Sequence, residues 1–263
     1  MLRVDDLHVT FHAGTPLETP ALRGLSLEIP TGQFVTVIGS NGAGKSTLLN
    51  AVAGDLPVTR GRVELDGQDL TRMPAWARAD RVARVFQDPL AGTCEDLTIE
   101  ENLALARARG ACRGLGRAVR AEMREVFRAR LATLGLGLER RLGDRIGLLS
   151  GGQRQAVSLL MAALRPSRIL LLDEHTAALD PRTGEFVLQL TARVVAEYGL
   201  TALMVTHSMR QALKVGERTV MLHQGRVVLD VAGAERDGME VGDLLARFEG
   251  VGGEGDGDAL LLG

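Results

Sequence analysis

Hydrophobic positions in the first forty residues change from an alternating to a continuous pattern. Apolar residues alternate with polar ones over Leu2–Phe11 and again over 25–29, which predicts two strands that each turn one face to a core. A polar loop that includes Pro20 is expected between them. Residues 34–38 are apolar apart from one threonine, which is typical of a strand buried on both faces.

Later apolar runs alternate with helical patterns. Helical spacing covers 99–164, broken by glycines near 114–116 and 135–137, and returns over 183–196. Strands are predicted at 61–67, 82–86, 169–172 and 202–205, with a terminal hairpin of 220–222 and 226–229. This alternation predicts an α/β fold with a mixed sheet, an antiparallel β subdomain at the start, and a helical subdomain inserted at about 90–160.

Composition is that of an ordinary globular protein, with 263 residues and a formal net charge of −2. No apolar stretch has membrane-spanning length, and charges near the start of the chain argue against a signal peptide. The two cysteines, Cys94 and Cys112, are too few for a disulfide framework. The slight negative charge and the lack of an aromatic array argue against a nucleic-acid partner. We expect one domain over 1–250 and a flexible, glycine-rich acidic tail over 251–263.

Lysine is scarce, since Lys45 and Lys214 are the only lysines among 31 basic residues. Lys45 lies in a segment that matches GxxxxGK[ST] completely, between a predicted buried strand and a predicted helix. Backbone N–H groups of such a loop surround phosphate oxygens, the lysine reaches the β- and γ-phosphates, and the hydroxyl of Ser46 can bind Mg²⁺. A chance glycine turn is the alternative, and the complete motif argues against it. The predicted nucleotide-binding residues are Gly39, Ser40, Asn41, Gly42, Ala43, Gly44, Lys45, Ser46 and Thr47.

An acidic pair follows the predicted strand 169–172. In α/β sheets ligands bind beyond the carboxyl ends of the strands. Asp173 is therefore a candidate Mg²⁺ ligand, and Glu174 is a candidate base for the attacking water. Acidic residues after a strand are common by chance, so this pair gains its weight from the phosphate loop.

A second candidate anion-binding segment consists of Ser150, Gly151, Gly152 and Gln153, which open another predicted helix. Serine and paired glycines at a helix start can bind phosphate through backbone N–H groups. The alternative interpretation is an ordinary serine N-cap.

Taken together, these motifs resemble those of the ABC ATPases. Residues 149–153 are similar to the signature motif of that family, and the resemblance extends over residues 2–230. The remaining motifs follow in the family's order, with Gln87, then Asp173 and Glu174, then Asp180, then His207.

The resemblance implies a role for each motif. Gln87 would contact Mg²⁺ and the attacking water, His207 would contact the γ-phosphate, and Asp180 would lie at a dimer interface. Phe11 matches the aromatic residue that stacks on adenine, with a core position as the alternative for both Phe11 and His207. The implied catalytic residues are Glu174, His207 and Gln87, and the implied metal ligands are Ser46, Gln87 and Asp173.

The family also implies an assembly. Ser150 and Gly152 would act in trans on the ATP and Mg²⁺ held at Lys45 of a second copy, so that two chains enclose two nucleotides. Hydrolysis in this homodimer would drive separate transmembrane permease subunits at the cytoplasmic face of the cell membrane. A substrate-binding lipoprotein would complete an importer.

One departure from the family is His175, which stands where most relatives carry proline. A simple loop variant is the plainest interpretation. Together with residues 173–181 and 206–213, this position is similar to one bacterial branch, the amino-acid importers of tryptophan/tyrosine type.

Rival functions stay open at this point. Soluble ABC-type ATPases that act on DNA carry a long coiled coil between phosphate loop and signature, and the interval from Lys45 to Ser150 has no sustained heptads. Those that act on the ribosome usually carry two cassettes, and this chain has one. A degenerate subunit without hydrolysis is disfavoured by the complete motif set.

Arginines recur at spacings of three and four in the helical block, which places them on one helix face. A solvated face is the plain interpretation. Attraction to anionic lipid or to the permease is the sharper one. The arginines are Arg113, Arg117, Arg120, Arg124 and Arg128, and the apolar side is predicted to contain Val119, Met123, Val126 and Phe127.

Overall fold

The computed structural model describes residues 1–111 and 118–250, and its strands form two sheets. The predicted tail over 251–263 and the predicted positions of Arg113 and Arg117 lie outside the described residues. The strands are β1 (Leu2–Phe11), β2 (Thr19–Ile29), β3 (Phe34–Gly39), β4 (Arg60–Leu65), β5 (Gln68–Asp69), β6 (Val82–Val85), β7 (Ile169–Asp173), β8 (Ala202–Val205), β9 (Arg218–His223) and β10 (Arg226–Ala232).

Helices occupy both faces of the larger sheet and form most of the block between β6 and β7. They are α1 (Lys45–Ala53), α2 (Ala75–Arg78), α3 (Ile99–Arg107), α4 (Ala121–Ala132), α5 (Gly151–Ala163), α6 (Pro181–Tyr198), α7 (Met209–Lys214), α8 (Gly233–Asp237) and α9 (Val241–Gly250). Short 3₁₀ turns at Leu138–Arg140 and Ile146–Leu148 join α4 to α5. In the described part of the chain, no helix is both long enough and apolar enough to cross a membrane.

The larger sheet has the order β10-β9-β3-β8-β7-β6 and is parallel except for β10. The smaller sheet has the order β2-β1-β4-β5 and is antiparallel. The predicted mixed sheet with an antiparallel β subdomain is therefore confirmed. Parallel pairing brings the carboxyl ends of β3, β8 and β7 to one edge, with β8 in the middle.

Residues of the central strands alternate between two cores, which explains their continuous apolar sequence. Leu170 and Leu172 pack with the helical block, while Ile169 and Leu171 pack with α1 and the smaller sheet. Because both faces of each strand are covered, each successive position is apolar. A third small cluster joins α7 and α9 around Phe248.

One local prediction is wrong in extent, and two helices were missed. The loop expected around Pro20 is already strand β2, which runs along the edge of its sheet, where a residue without an N–H is tolerated. Helices α8 and α9 were not predicted. The five residues of α8 are too short and polar to show a helical stripe, whereas α9 has one in Val241, Leu244, Leu245 and Phe248, and this signal was missed.

The helical block also departs from its predicted apolar side. In α4, Phe127 is fully buried, but Val126 is 44 % exposed, so the assignment of Val126 to the core side is wrong. Adjacent residues on a helix point about 100° apart, so Phe127 can face the core while Val126 faces solvent. Arg124 and Arg128 are each paired with a carboxylate, Glu100 and Glu125, which favours the solvated-face interpretation.

Candidate functional site

The phosphate-loop motif lies between β3 and α1, at the shared edge of the parallel strands. Its last glycine, Gly44, has φ of 100°, a left-handed conformation that side-chain-bearing residues rarely adopt. A Cβ atom at this position would lie 2.8 Å from the carbonyl oxygen of Ala21. The loop therefore depends on glycine both for its conformation and for its close approach to β2.

A pocket of about 460 Å³ opens at this loop. Phe11 at the end of β1 and the start of β2 form one wall, and the phosphate loop forms the other. The predicted site residues that line it are Phe11, Asn41, Gly42, Ala43, Gly44, Lys45, Ser46, Thr47 and Glu174, joined by Arg23 and Gln224, which the sequence analysis did not single out.

Lys45 is held in place by the loop itself. Its ammonium group donates to the carbonyl oxygens of Gly39 (2.8 Å) and Ser40 (3.0 Å), and the residue is only 6 % exposed. Burial lowers the pKa of Lys45, and the nearby carboxylates of Glu174 and Asp173 partly oppose that shift. A negatively charged ligand in the pocket would strengthen the charged form of this lysine.

Glu174 follows β7 and contacts His207, two residues beyond the end of β8. Its Oε2 lies 3.4 Å from Nδ1 of His207. The hydrogen bond with His207 is the main cause of a lowered pKa for Glu174, to which the charge of Lys45 adds, while burial opposes it. The backbone of Glu174 has φ of 40°, an uncommon conformation that clusters at functional sites. Three predicted residues from three segments thus meet at one edge of the sheet.

Asp173 has a partner that the sequence analysis missed. Its Oδ2 lies 2.6 Å from Nη2 of Arg84, which lies on the neighbouring strand β6. The available signal was an arginine inside a short, otherwise apolar strand. Gln87, two residues beyond the end of β6, is exposed and lies on the same side of the sheet.

The loops that carry Glu174 and His207 have further anchors that were not predicted. Nε2 of buried His175 lies 2.8 Å from Oγ1 of Thr191 on α6, and burial lowers the pKa of His175 to about 4. Gln211 on α7 accepts hydrogen bonds from the hydroxyls of Thr176 and Thr206, both at 3.1 Å. His175 is thus a packed residue and more than a loop variant.

The signature segment lies away from the phosphate-loop pocket of its own chain, whose described lining includes none of residues 150–153. Ser150 caps α5, since its Oγ accepts the N–H of Gln153 while the side chain of Gln153 accepts the N–H of Ser150. Ser150 and Gly151 are exposed, whereas Gly152 is buried against Thr183 of α6. The N-cap interpretation holds for the single chain, and the exposed face leaves room for a second role.

Asp180 begins α6 in the same manner. Its Oδ1 accepts the N–H of Thr183 at 3.1 Å, and these hydrogen bonds lower the pKa of Asp180. The residue is exposed. An exposed carboxylate beside the signature segment is compatible with the implied dimer interface.

Comparison with known proteins gives a consistent result. Residues 22–177 match the family model described as ABC transporter. A tyrosine transport ATP-binding protein of Clostridioides difficile is 42% identical over 249 residues, which cover 95% of this chain and 99% of that protein. The aliphatic sulfonates import ATP-binding protein SsuB 2 of Agrobacterium fabrum is 34% identical, covering 81% of this chain and 74% of that protein.

Solved structures agree with the sequence relatives. The dimeric structure of MJ0796, a bacterial ABC transporter cassette, is 31% identical and superimposes with a TM-score of 0.74, covering 88% of this chain and 98% of that chain. A post-hydrolysis dimer of the same cassette, bound to ADP and Pi, is 32% identical with a TM-score of 0.71 over the same shares.

Proposed function

The chain belongs to the ABC transporter family, and from that premise we propose that it is the ATP-hydrolysing subunit of a bacterial membrane transporter. The resemblance drawn from the sequence motifs is thereby confirmed. One observation carries the proposal: the phosphate loop, Glu174 and His207 come from three separate segments and meet at one edge of the parallel sheet. A phosphate site with a poised carboxylate suits hydrolysis better than storage of a nucleotide.

ATP would occupy the pocket between β1 and the phosphate loop. Its phosphates would replace the two carbonyl oxygens that now accept from the Lys45 ammonium, and the positive end of α1 would add to their binding. Adenine would stack on Phe11, which lines the opposite wall. The other residues of the phosphate loop, within 39–47, would supply backbone N–H groups that bind the phosphate oxygens.

The predicted metal ligands, which lie at the end of β7, beyond β6 and at the start of α1, are of the kind that Mg²⁺ binds. Carboxylate, amide and hydroxyl oxygens of Asp173, Gln87 and Ser46 are the hard ligands that this ion prefers. Among the described residues no three His, Cys, Asp or Glu side chains form a metal cluster. That fits a metal held by few protein ligands together with substrate phosphates. Bound there, Mg²⁺ would neutralise the charge that develops on the phosphates.

Glu174 would accept the proton of the attacking water. The contact with His207 keeps this carboxylate ionised and oriented, at the cost of some basicity, because it lowers the pKa. His207 would in turn donate to the γ-phosphate. The hydrogen bonds that Thr191 and Gln211 make to the two loops would hold the side chains of Glu174 and His207 in position.

A second copy would complete the site. Ser150 and Gly152 belong to a segment that does not reach the pocket of its own chain, and the solved MJ0796 relatives are dimers. Two copies arranged head to tail would each present the signature segment to the other's ATP, with Asp180 beside the interface. The functional unit is then a homodimer.

A transmembrane permease would be the partner that hydrolysis drives. A groove of about 460 Å³, lined by parts of α2 and α3 and by residues 91–94, contains Trp76, which is 81 % exposed, together with Leu105 and Met161. An exposed tryptophan above an apolar groove is a common feature of protein interfaces. Because the groove lies next to the segment that follows Gln87, a partner seated there could act on the catalytic edge.

The similar proteins support import as the direction of transport. The named relatives include a tyrosine transport protein and an aliphatic sulfonates import protein. We therefore place the chain at the cytoplasmic face of the cell membrane, in an amino-acid importer completed by a substrate-binding lipoprotein. A permease and a binding lipoprotein encoded beside this chain would support import, whereas co-purification with a DNA or ribosomal factor would oppose it.

The alternative, a soluble ABC-type ATPase of DNA or the ribosome, finds no support in the fold. Between the phosphate loop and the signature segment, the longest described helix is α4, with 12 residues, and α3 and α4 together make no extended coiled coil.

The substitution Glu174→Gln tests the proposal. Loss of the general base should lower ATP turnover by about 10²–10⁴-fold. ATP binding should persist, so the variant should accumulate as an ATP-bound dimer in size-exclusion chromatography. Glu64→Gln, on strand β4 of the smaller sheet, serves as the control and should behave as the wild type. Normal turnover in Glu174→Gln would remove Glu174 from its role.

A further inference from the structure

Arg84 is a charged side chain inside the parallel sheet. It lies on β6 opposite Leu171 of β7, between apolar neighbours Ala83 and Val85, and its side chain is only 13 % exposed. Burial of a guanidinium costs free energy unless its N–H groups find acceptors. An arginine at this position therefore needs specific partners, and its partners belong to the candidate site.

Three side chains, from the end of β7 and from α1 and the residues just after it, accept hydrogen bonds from this one guanidinium. Nη2 donates to Oδ2 of Asp173 at 2.6 Å. Nη1 donates to Oδ1 of Asn50 at 2.7 Å and to Oδ2 of Asp55 at 2.8 Å. Asn50 is in α1, the helix that begins at Lys45, and Asp55 lies just after its end.

The guanidinium also lies over an aromatic ring. Its central carbon is 4.7 Å from the ring centroid of Phe86, the residue that precedes Gln87. One planar group thus connects the strand end that carries Asp173, the helix that follows the phosphate loop, and the segment that leads to Gln87. A lysine could not make these contacts together, because its ammonium is a single point of charge.

We propose that Arg84 is a positioning residue that holds the Asp173 carboxylate in the orientation needed for Mg²⁺. The inference rests on the Mg²⁺ role proposed above for Asp173. Arg84 fixes Oδ2 of Asp173, which leaves Oδ1 for the metal or its water. It also ties the metal-binding strand end to the helix of the phosphate loop, so that the two sides of the site keep their spacing.

Charge repulsion between Arg84 and Mg²⁺ is the opposing effect, and the contacts show why it is the smaller one. Arg84 is bonded to two carboxylates, so Asp55 offsets much of its positive charge. Groups that orient a metal ligand, in contrast, commonly change metal affinity by about 10- to 100-fold when they are removed. Loss of Arg84 should therefore weaken Mg²⁺ binding.

The test compares nucleotide affinity with and without Mg²⁺. A non-hydrolysable ATP analogue is titrated by calorimetry in excess Mg²⁺ and in EDTA, and the ratio of the two dissociation constants is the magnesium factor. The variants are Arg84→Met, Arg84→Lys, Asp173→Asn and the double variant Arg84→Met/Asp173→Asn. Arg81→Met is the matched control, since Arg81 precedes the same strand and, within the described part of the chain, its guanidinium pairs with its neighbour Asp80 and not with Asp173.

In Arg84→Met the magnesium factor should fall by about 10-fold or more, while affinity in EDTA stays within about twofold. Arg84→Lys should lie between Arg84→Met and the wild type, and Arg81→Met should match the wild type. In the Asp173→Asn background, Arg84→Met should change nothing further, because Arg84 acts through that carboxylate. If Arg84→Met does not fold, Arg84→Lys carries the same comparison, made in the wild-type and in the Asp173→Asn background.

An unchanged or increased magnesium factor in Arg84→Met overturns the inference. The inference is also overturned if Arg84→Met lowers the magnesium factor equally in the wild-type and Asp173→Asn backgrounds, since Arg84 would then act through general packing. A full magnesium factor in Asp173→Asn alone refutes the Mg²⁺ role of Asp173 itself. Failure of the Arg84 inference can therefore be distinguished from failure of the Mg²⁺ role proposed for Asp173.

Discussion

Gly152 of the signature segment has a packing role that can be separated from its proposed role in trans. A Cβ atom at Gly152 would lie 2.1 Å from Cγ2 of Thr183, near the start of α6. Real Cβ contacts of this length do not occur, so Gly152→Ala must push α5 and α6 apart or force Thr183 out of its rotamer. We predict that this substitution destabilises the single chain before any dimer is formed.

The size of the effect follows from the neighbouring distances. Without Cγ2, the nearest atoms of residue 183 would be Cβ at 3.6 Å and Oγ1 at 4.0 Å, which are ordinary contacts. The whole clash therefore comes from one methyl group. Inserting such an excess group into a packed interface costs about 1–3 kcal/mol. For a protein of this size that lowers Tm by about 2–4 °C per kcal/mol.

Thermal unfolding of the nucleotide-free protein measures this cost. The double variant Gly152→Ala/Thr183→Ser should recover most of the lost Tm, because serine lacks Cγ2 and keeps the backbone N–H that bonds Asp180. Gly151→Ala is the matched stability control, since its Cβ would meet only the flexible tip of Leu179 at 3.3 Å. It should unfold close to the wild-type temperature.

Two results would refute this reasoning. One is a wild-type Tm for Gly152→Ala, which would mean that the helices separate at no cost. The other is a double variant as unstable as the single one, which would place the clash elsewhere. If the double variant regains Tm but not ATP turnover, the packing role and the role in trans are both supported.

Two further predictions concern the loops beside Glu174. Burial sets the pKa of His175 at about 4, below the unfolded value of 6.5, so the stability that the neutral ring contributes is complete above pH 6.5 and is lost as pH falls towards 4. The loss amounts to about 3 kcal/mol. Between pH 7 and pH 4.5 the free energy of unfolding, measured with urea, should therefore decrease less in His175→Gln than in the wild type. An equal decrease in both proteins would contradict the assignment of this pH dependence to His175. Gln211→Leu deprives the hydroxyls of Thr176 and Thr206 of their acceptor, so it should lower kcat roughly tenfold with little change in the KM for ATP, whereas Gln211→Glu keeps an acceptor oxygen and should retain more activity.

The parts of the site that the sequence predicted are those encoded by neighbouring residues. The phosphate loop needs its glycines, Lys45 and Ser46 within one short segment, and the strand–loop–helix pattern around it is local. The acidic pair follows a strand whose burial is visible in its own composition. The helix cap at Ser150, the alternative interpretation of the signature segment, likewise depends on residues three positions apart.

The parts that the sequence did not predict join segments that are far apart in the chain. Arg84 contacts Asp173, which is 89 positions further along the chain, and His175 contacts Thr191 in the helix that follows its loop. Nothing in the local pattern indicates which acceptor a buried arginine will find, because that depends on the strand order. Val126 and Phe127 illustrate the same limit within one helix, where only packing decides which of two neighbours is buried.

The phosphate loop and the signature segment form the two halves of the proposed ATP site. They differ in how many hydrogen bonds of the single chain must be broken before a phosphate can bind. Lys45 already donates to two carbonyl oxygens, so a nucleotide must replace those bonds, and it gains from the attraction between its phosphates and the lysine ammonium. Ser150 accepts the N–H of Gln153 through its oxygen, and that bond does not use the hydroxyl hydrogen. The signature segment can therefore donate to a phosphate without undoing its cap. On this reasoning a nucleotide would bind first at Lys45, with local rearrangement, and the second copy would then add a preformed surface. Formation of the proposed dimer would be limited by ATP binding and not by reshaping of the signature helix.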